Sequence, residues 1–245
     1  MRLFGLLGYP LTHSFSQKYF NEKFQKLGIV NVSYENFSIP TIEELTIILD
    51  RKKELEGFNI TIPYKKAVLD FLDELSEPVK KIGACNCVKI IDGKLLGFNT
   101  DTVGFQKSLQ PFLKPQHKKA LILGTGGASA AVEYVFQQLD ISYQFVSRNA
   151  SSSAISYQDL NREIMESHQL IINTTPLGMY PNLKDFPEIP YEFITDTHHL
   201  FDLIYNPTET KFLSIGKQKG ATIQNGYEML ILQAEESWRI WNELT

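Results

Sequence analysis

The chain has 245 residues, with 24 Lys and Arg against 28 Asp and Glu; its net charge of −4 and the lack of any basic run argue against nucleic acid and acidic membrane surfaces as partners. With 43% hydrophobic and 21% charged residues it has the make-up of a folded chain long enough for one large or two modest cores. No apolar stretch nears the roughly 20 residues needed to cross a bilayer, and MRLFGLLGYPLTHS, with one arginine and a short apolar run, reads as a buried first strand rather than a secretion leader.

In chain order, RLFGLLG is a strand, and SFSQKYFNEKFQKLG carries helical spacing through Tyr19, Phe20, Phe24 and Leu27. SYENFSI is a second strand, TIEELTIILDRKKEL a helix and GFNITI a third strand. PYKKAVLDFLDEL is expected to open a helix with Pro63 at its first position. CNCVKIIDGKLLGFNT reads as a hairpin, because Asp92-Gly93 is a two-residue turn signal between β-prone runs. Cys85 and Cys87 share a strand face there. They are poorly placed to bridge each other, and with no nearby partner they make a poor metal site. Buried reduced thiols are expected, which suits a cytoplasmic protein with no metal.

PFLKPQHKK (111–119) looks like a boundary, after which the pattern restarts. KALILG is a strand, GGASAAVEYVFQQL a helix, YQFVSR a strand, SYQDLNREIMES a helix and LIINTT a strand. HHLFDLIY is another strand, TETKFLSIGKQKG a helix and NGYEMLILQAEESWRIWNEL a long amphipathic helix. Such alternation implies parallel βαβ units covered on both faces, hence an α/β fold in two domains.

KALILGTGGASAAVEYVFQQL has a strand, a glycine turn and an apolar helix in the order that a dinucleotide site requires. Gly124, Gly126 and Gly127, with Thr125 and Ala128 between and after them, permit a tight turn and a close approach of backbone to a pyrophosphate at the helix N-terminus. Ser129 stands where a third small residue belongs. The next strand ends in Ser147-Arg148, with Ser147 23 positions after Gly124. NAD sites carry a carboxylate near that spacing; a guanidinium instead favours the 2′-phosphate of NADP.

On a helical wheel at about 100° per residue, the apolar residues after Lys65 centre near 280° from it. Lys65 then borders the buried face and Lys66 points to solvent, so Lys65 is the lysine whose ammonium burial would tune toward catalysis.

GYPLTHSFS, NITIPYKKA, ACNCV, GFNTDTVG, GTGGAS, SR, INTTPLGM, YNPTET and NGYEMLILQA follow one another in the order seen in shikimate dehydrogenases, and the sequence resembles that family over nearly its whole length. The resemblance implies an N-terminal α/β substrate domain (1–101 with 226–245) and a Rossmann-like NADP-binding domain (102–225), the C-terminal helix returning to the first. It implies reversible, NADPH-dependent reduction of 3-dehydroshikimate to shikimate in aromatic amino-acid biosynthesis, by a cytoplasmic monomer or homodimer.

By that resemblance Lys65 and Asp101 are the catalytic pair across the substrate hydroxyls. Ser14 and Ser16 bind the carboxylate, and Thr61, Asn86, Tyr205 and Gln233 are further substrate contacts. Thr174, Thr175, Leu203 and Gly226 lie on the cofactor side, and Glu77 approaches it. Bland roles stand beside these: Ser14 with Gln17 as a capping box, Asp101 as a helix cap, Tyr205 as core, Glu77 as a first-turn carboxylate. Asn86, polar in an apolar strand, suits a core role badly. The chain departs from the family's commonest residues at Gln17, Cys87, Phe98 and Thr102, and has Ser152 where a second arginine often stands. Rival readings are a quinate/shikimate dehydrogenase using NAD or both cofactors, a folate-pathway methylene dehydrogenase, which would not need HSFS, and a non-catalytic NADP-binding sensor, against which intact Lys65 and Asp101 speak.

Overall fold

The computed structural model describes residues 1–11 and 14–243; Thr12 and His13 of the GYPLTHSFS motif, and the end of the tail helix pattern at Leu244, lie outside them. The chain divides into two compact units, Met1–Thr100 with Ala234–Thr245, and Asp101–Gln233.

The first unit contains β1 (Arg2–Gly8), α1 (Phe15–Lys26), β2 (Val32–Ser38), α2 (Leu45–Arg51), β3 (Leu55–Ile60), β4 (Glu74–Leu75), α3 (Glu77–Ile82), β5 (Cys87–Ile91) and β6 (Lys94–Phe98). Its sheet runs β2-β1-β3-β5-β6-β4. β1 is parallel to β2 and β3, whereas β5 is antiparallel to both β3 and β6. Along β1 the side chains alternate: Leu3 and Leu7 join one apolar cluster with Phe58, Ile60 and Val68, while Phe4 and Leu6 join another with Phe20, Tyr34 and Trp241. A strand buried on both faces reads as an unbroken apolar run, which is why RLFGLLG shows no polar alternation. Phe20 stacks on Tyr34 and Phe4 on Trp241, each at 4.6 Å between ring centres. The hairpin forms as read, with Asp92 (φ 51°) and Gly93 (φ 78°) at its turn.

The second unit contains most of α4 (Thr100–Leu109), then β7 (Lys119–Leu123), α5 (Gly127–Gln138), β8 (Ser142–Ser147), β9 (Ala154–Ser156), α6 (Arg162–Ser167), β10 (Leu170–Asn173), β11 (His199–Asp202), α7 (Lys211–Gln218) and β12 (Thr222–Gln224). α8 (Tyr227–Glu243) starts in this unit and ends in the first, where Trp241 Nε1 donates to Val88 O at 2.9 Å and Lys89 Nζ to Ile240 O at 3.0 Å. The sheet is wholly parallel in the order β12-β11-β10-β7-β8-β9. Numbered within the unit this is 6-5-4-1-2-3, the doubly wound dinucleotide-binding order, with its switch point between β7 and β10. Ala120 and Ile122 of β7 face one core and Leu121 and Leu123 the other, so helices cover both faces.

Four expectations are corrected. PYKKAVLDFLDEL forms turns and a 3₁₀ helix, Ala67–Phe71, and then β4, because Leu72 turns extended and Asp73 N bonds Leu95 O instead of continuing a helix. The start of SYQDLNREIMES is β9 followed by a 3₁₀ turn, Tyr157–Asp159, closed by a Ser156–Asp159 capping box; only Arg162–Ser167 is α-helical. Residues 111–119 lie inside the second unit, held by His117, which is buried and bonds Lys114 N and Thr197 O. The first sheet is mixed rather than parallel, since the β5–β6 hairpin inserts antiparallel strands.

Candidate active site

At the carboxyl ends of β7, β8 and β10 a cavity of about 470 Å³ opens. Gly124, Thr125 and Gly126 form its floor, Ser147, Arg148 and Asn149 one wall, and Thr174, Thr175, Pro176 and Leu177 the other, with Tyr157 beside Arg148. Three chain turns predicted to share a cofactor thus meet at the switch point, where open α/β sheets bind ligands. Gly124 has φ +102°, which a side chain would strain, and a Cβ there would crowd Thr174 Oγ1 and Thr175 Cγ2 at 2.9 Å. At Gly126 and Gly127 a Cβ would meet nothing within 4 Å, so the space over the N-terminus of the 12-residue α5 is open. Ser129 explains the missing third glycine: it is buried and its Oγ donates to Gly126 O at 2.6 Å, tying the loop to the helix. Gly127 and Ala128 begin α5, exposed; Leu203 and Gly226 do not line this cavity. Gly226 is required by packing, because a side chain there would run into Leu203 O.

Behind the Thr174 wall lies a buried polar hub that the sequence reading overlooked. Asn173 Oδ1 accepts from Thr175 N at 3.0 Å and Thr175 Oγ1 at 2.6 Å, which bends the chain past β10. Asn173 Nδ2 donates to Asp202 Oδ1 at 3.0 Å. That carboxylate also accepts from Ile204 N at 3.0 Å and Thr210 Oγ1 at 2.6 Å. Asp202 is fully buried, and burial pushes its carboxyl up to about 6 despite these donors. A charged residue inside the apolar run FDLI was the available signal.

In the first unit, Ser14 caps α1, its Oγ accepting from Gln17 N at 3.1 Å. The capping box is only half made, because Gln17 Oε1 instead accepts from Asn36 Nδ2 at 2.9 Å. Ser16 is buried in the first turn; its hydroxyl lies beside Tyr34. Thr61 follows β3, parallel to β1, and Asn86 precedes the antiparallel β5, so the register brings them to the same end of the sheet as the α1 start. Lys65 is half-buried and Lys66 exposed, although the segment is a turn rather than the α-helix used to separate them. Asp101, the first residue of the second unit, is half-buried one residue inside α4, not at its cap. In the second unit, Gln233 is buried on α8, and Tyr205 is exposed just past β11 rather than core. Glu77 starts α3 and pairs with Lys81 at 3.2 Å, the first-turn role.

A second overlooked network, within the first unit, holds Asn86. Tyr34 Oη donates to Asn59 Oδ1 at 2.9 Å, and Asn59 Nδ2 donates to Ser237 Oγ at 2.8 Å and Asn86 O at 3.2 Å. Asn86 Oδ1 accepts from Thr100 N at 2.6 Å and its Nδ2 donates to Thr100 Oγ1 at 3.0 Å. Asn59 carried the same signal as Asn86, an amide in an apolar strand. Cys85 and Cys87 are buried thiols outside any disulfide, burial holding the Cys87 thiol well above its usual range.

Residues 6–88 match the family model described as the shikimate dehydrogenase substrate binding domain. The NADP(+) shikimate dehydrogenase of Methanococcus maripaludis is 37% identical, the alignment covering 98% of this chain and 91% of that protein. The chain belongs to the shikimate dehydrogenase family. The NADP(+) enzyme of Clostridium beijerinckii is 38% identical over 99% of this chain and 93% of its own. The shikimate 5-dehydrogenase of Thermus thermophilus, solved in complex with NADP(H) and shikimate, superposes with a TM-score of 0.87 at 31% identity, covering 100% of this chain and 94% of that one. Membership in the shikimate dehydrogenases accounts for the two-unit α/β architecture and for a doubly wound sheet carrying the glycine turn. Among the described residues no helix is long and apolar enough to cross a membrane.

Proposed function

We propose that this chain catalyses the reversible, NADPH-dependent reduction of 3-dehydroshikimate to shikimate, as a cytoplasmic monomer or homodimer. The observation that carries this reading is the glycine-turn cavity at the switch point of the second unit, in a chain alike over nearly its full length to NADP(+) shikimate dehydrogenases. The cavity fits the nucleotide. Open space over Gly126 and Gly127 leaves room for a pyrophosphate against the α5 amides, and Arg148 offers a cation, with no carboxylate among the lining residues. Gly124, Thr125, Gly126, Gly127 and Ala128 would hold the pyrophosphate, Ser147 and Arg148 the 2′-phosphate. Thr174, Thr175, Leu203 and Gly226 would bound the remainder.

Bound NADPH supplies the hydride for the ketone carbon. The chain's own residues do the rest. Ser14 and Ser16, at the N-terminus of the 12-residue α1, hold the substrate carboxylate with hydroxyls and the positive end of the helix dipole. Thr61, Asn86, Tyr205 and Gln233 hold the ring hydroxyls and so fix which face of the ketone is presented. Lys65 and Asp101 polarise the carbonyl oxygen and deliver the proton it needs as hydride arrives; in the reverse direction they remove it. The Asn59–Asn86–Thr100 network orients the Asn86 amide.

The test is reduction of NADP+ and NAD+ with shikimate and with quinate in turn. NADP+ with shikimate should be the fastest pair. Equal or faster turnover of quinate, or preference for NAD+, overturns the assignment in favour of a quinate-type enzyme, and no turnover with either acid points to a binding protein.

A further inference from the structure

We propose that Tyr157 is a nucleotide-recognition residue: its hydroxyl donates a hydrogen bond to the 2′-phosphate of the bound dinucleotide, beside Arg148. The inference rests on the NADP reading above and adds a specificity residue to it.

Register supplies the placement. β8 and β9 pair in parallel with Ser147 opposite Ser156, so the next residues, Arg148 and Tyr157, leave adjacent strands side by side at their carboxyl ends. Both line the cavity that the glycine turn floors. Arg148 is exposed and is the one cation among the lining residues. The Tyr157 oxygen is buried without a hydrogen-bond partner. Among the described residues, the other buried side-chain oxygens without partners, those of Ser33, Asn36, Ser76 and Gln169, belong to residues that do not line the cavity. Buried hydroxyls in native proteins nearly always have a partner, and one without a partner, on a residue that lines a ligand cavity, calls for an explanation that a ligand would supply.

The chemistry suits an anion. Arg148 is close enough for its charge to act on the phenol, yet burial prevails and pushes Tyr157 up to about 12, so it stays a neutral donor at working pH. A neutral donor beside a guanidinium adds a directed bond to the phosphate without a second charge to desolvate, whereas the bare hydroxyl of a 2′-OH ribose gains little from it. The ring packs with the apolar cluster under β8, which holds the hydroxyl in place before binding.

Tyr157→Phe removes the oxygen alone. Calorimetric binding of 2′,5′-ADP and of ADP to the full chain, with the thermal midpoint of the ligand-free protein, tests the assignment. A hydrogen bond to a charged group is worth roughly tenfold in affinity. The variant should bind 2′,5′-ADP roughly tenfold more weakly and ADP within twofold of wild type. Its ligand-free midpoint should stay level or rise by up to about 4 °C, since a buried unpaired oxygen has been removed. Unchanged 2′,5′-ADP affinity with a raised midpoint would mean the hydroxyl is only a buried orphan, and equal loss for both ligands would mean the ring merely shapes the wall; either overturns the assignment. Wild type itself discriminates the underlying reading: no preference there for 2′,5′-ADP over ADP sinks the NADP reading and this inference together, while a wild-type preference kept by the variant sinks this inference alone.

Discussion

Replacing Asp202 by asparagine sets burial against hydrogen bonding at the hub behind the Thr174 wall of the cavity. The carboxylate receives three donors, from Asn173, Ile204 and Thr210, which favour its charged form; full burial disfavours it and wins, raising the group from 3.8 to about 6. A raised acid contributes stability that is present below its unfolded pKa and is lost as pH rises through the folded one. The window is therefore pH 4 to 7, and roughly two pKa units at about 1.4 kcal/mol each amount to a loss of about 2–3 kcal/mol across it. Asparagine keeps an acceptor for Asn173 and Ile204 but cannot ionise. The stability of wild type minus that of Asp202→Asn should fall by about 2–3 kcal/mol from pH 4 to pH 7. Taking the difference removes His199, whose pKa burial lowers to about 4 and which costs stability in the opposite sense, as pH falls below 6.5. Native-state hydrogen exchange of the β10 and β11 amides is the suitable readout, since both tryptophans, Trp238 and Trp241, belong to the first unit. A flat difference would refute the buried, ionising carboxylate, and a rising one would mean that the three donors outweigh desolvation.

Three further outcomes follow from the site. Lys65→Ala should lower kcat by roughly 10² to 10⁴ with KM little changed, as expected for a group that moves a proton, while Lys66→Ala should be nearly silent; equal losses in steady-state kinetics would refute the distinction. Arg148→Ala should cut kcat/KM for NADPH about ten- to a hundredfold and leave NADH nearly unchanged, and Arg148→Asp should reverse the preference through repulsion of the phosphate. Loss with both cofactors would exclude a phosphate contact. Gly126→Val places its side chain in open space at φ −86°, so the thermal midpoint should hold within about 2 °C while nucleotide binding in calorimetry falls below detection; retained binding would mean that no pyrophosphate lies there.

The glycine turn, the Asp92-Gly93 hairpin and the continuous apolar strands could all be read from the chain, because each depends on residues within a few positions of one another; the exposure of Lys66 was reached through an α-helix that does not form. The strand end at Ser147-Arg148, which lines the cavity, was legible for the same reason, being set by spacing from Gly124 along a single βαβ unit. Asn59 and Asp202 were visible as polar residues in apolar runs, but their partners were not: Asn59 meets Ser237 178 positions away, a pairing made when the tail helix docks.

Local pattern misled where tertiary contacts outweighed it. The apolar spacing after Pro63 suits an α-helix, yet Asp73 and Ser76 donate backbone bonds to Leu95 and Gly97, and pairing of β4 with β6 draws the segment out after one 3₁₀ turn. β9 is three residues long, too short for any period to show, and only its ladder with β8 carries Tyr157 to Arg148. The sequence by itself determined the turn chemistry, the strand candidates and the kind of nucleotide site, because backbone freedom at glycine and the periodicity of burial are local properties. Which strands became neighbours, which helices gave way and which tyrosine lines the cavity were decided only in the tertiary structure, because strand pairing and side-chain hydrogen bonds join residues whose separation along the chain carries no local signal.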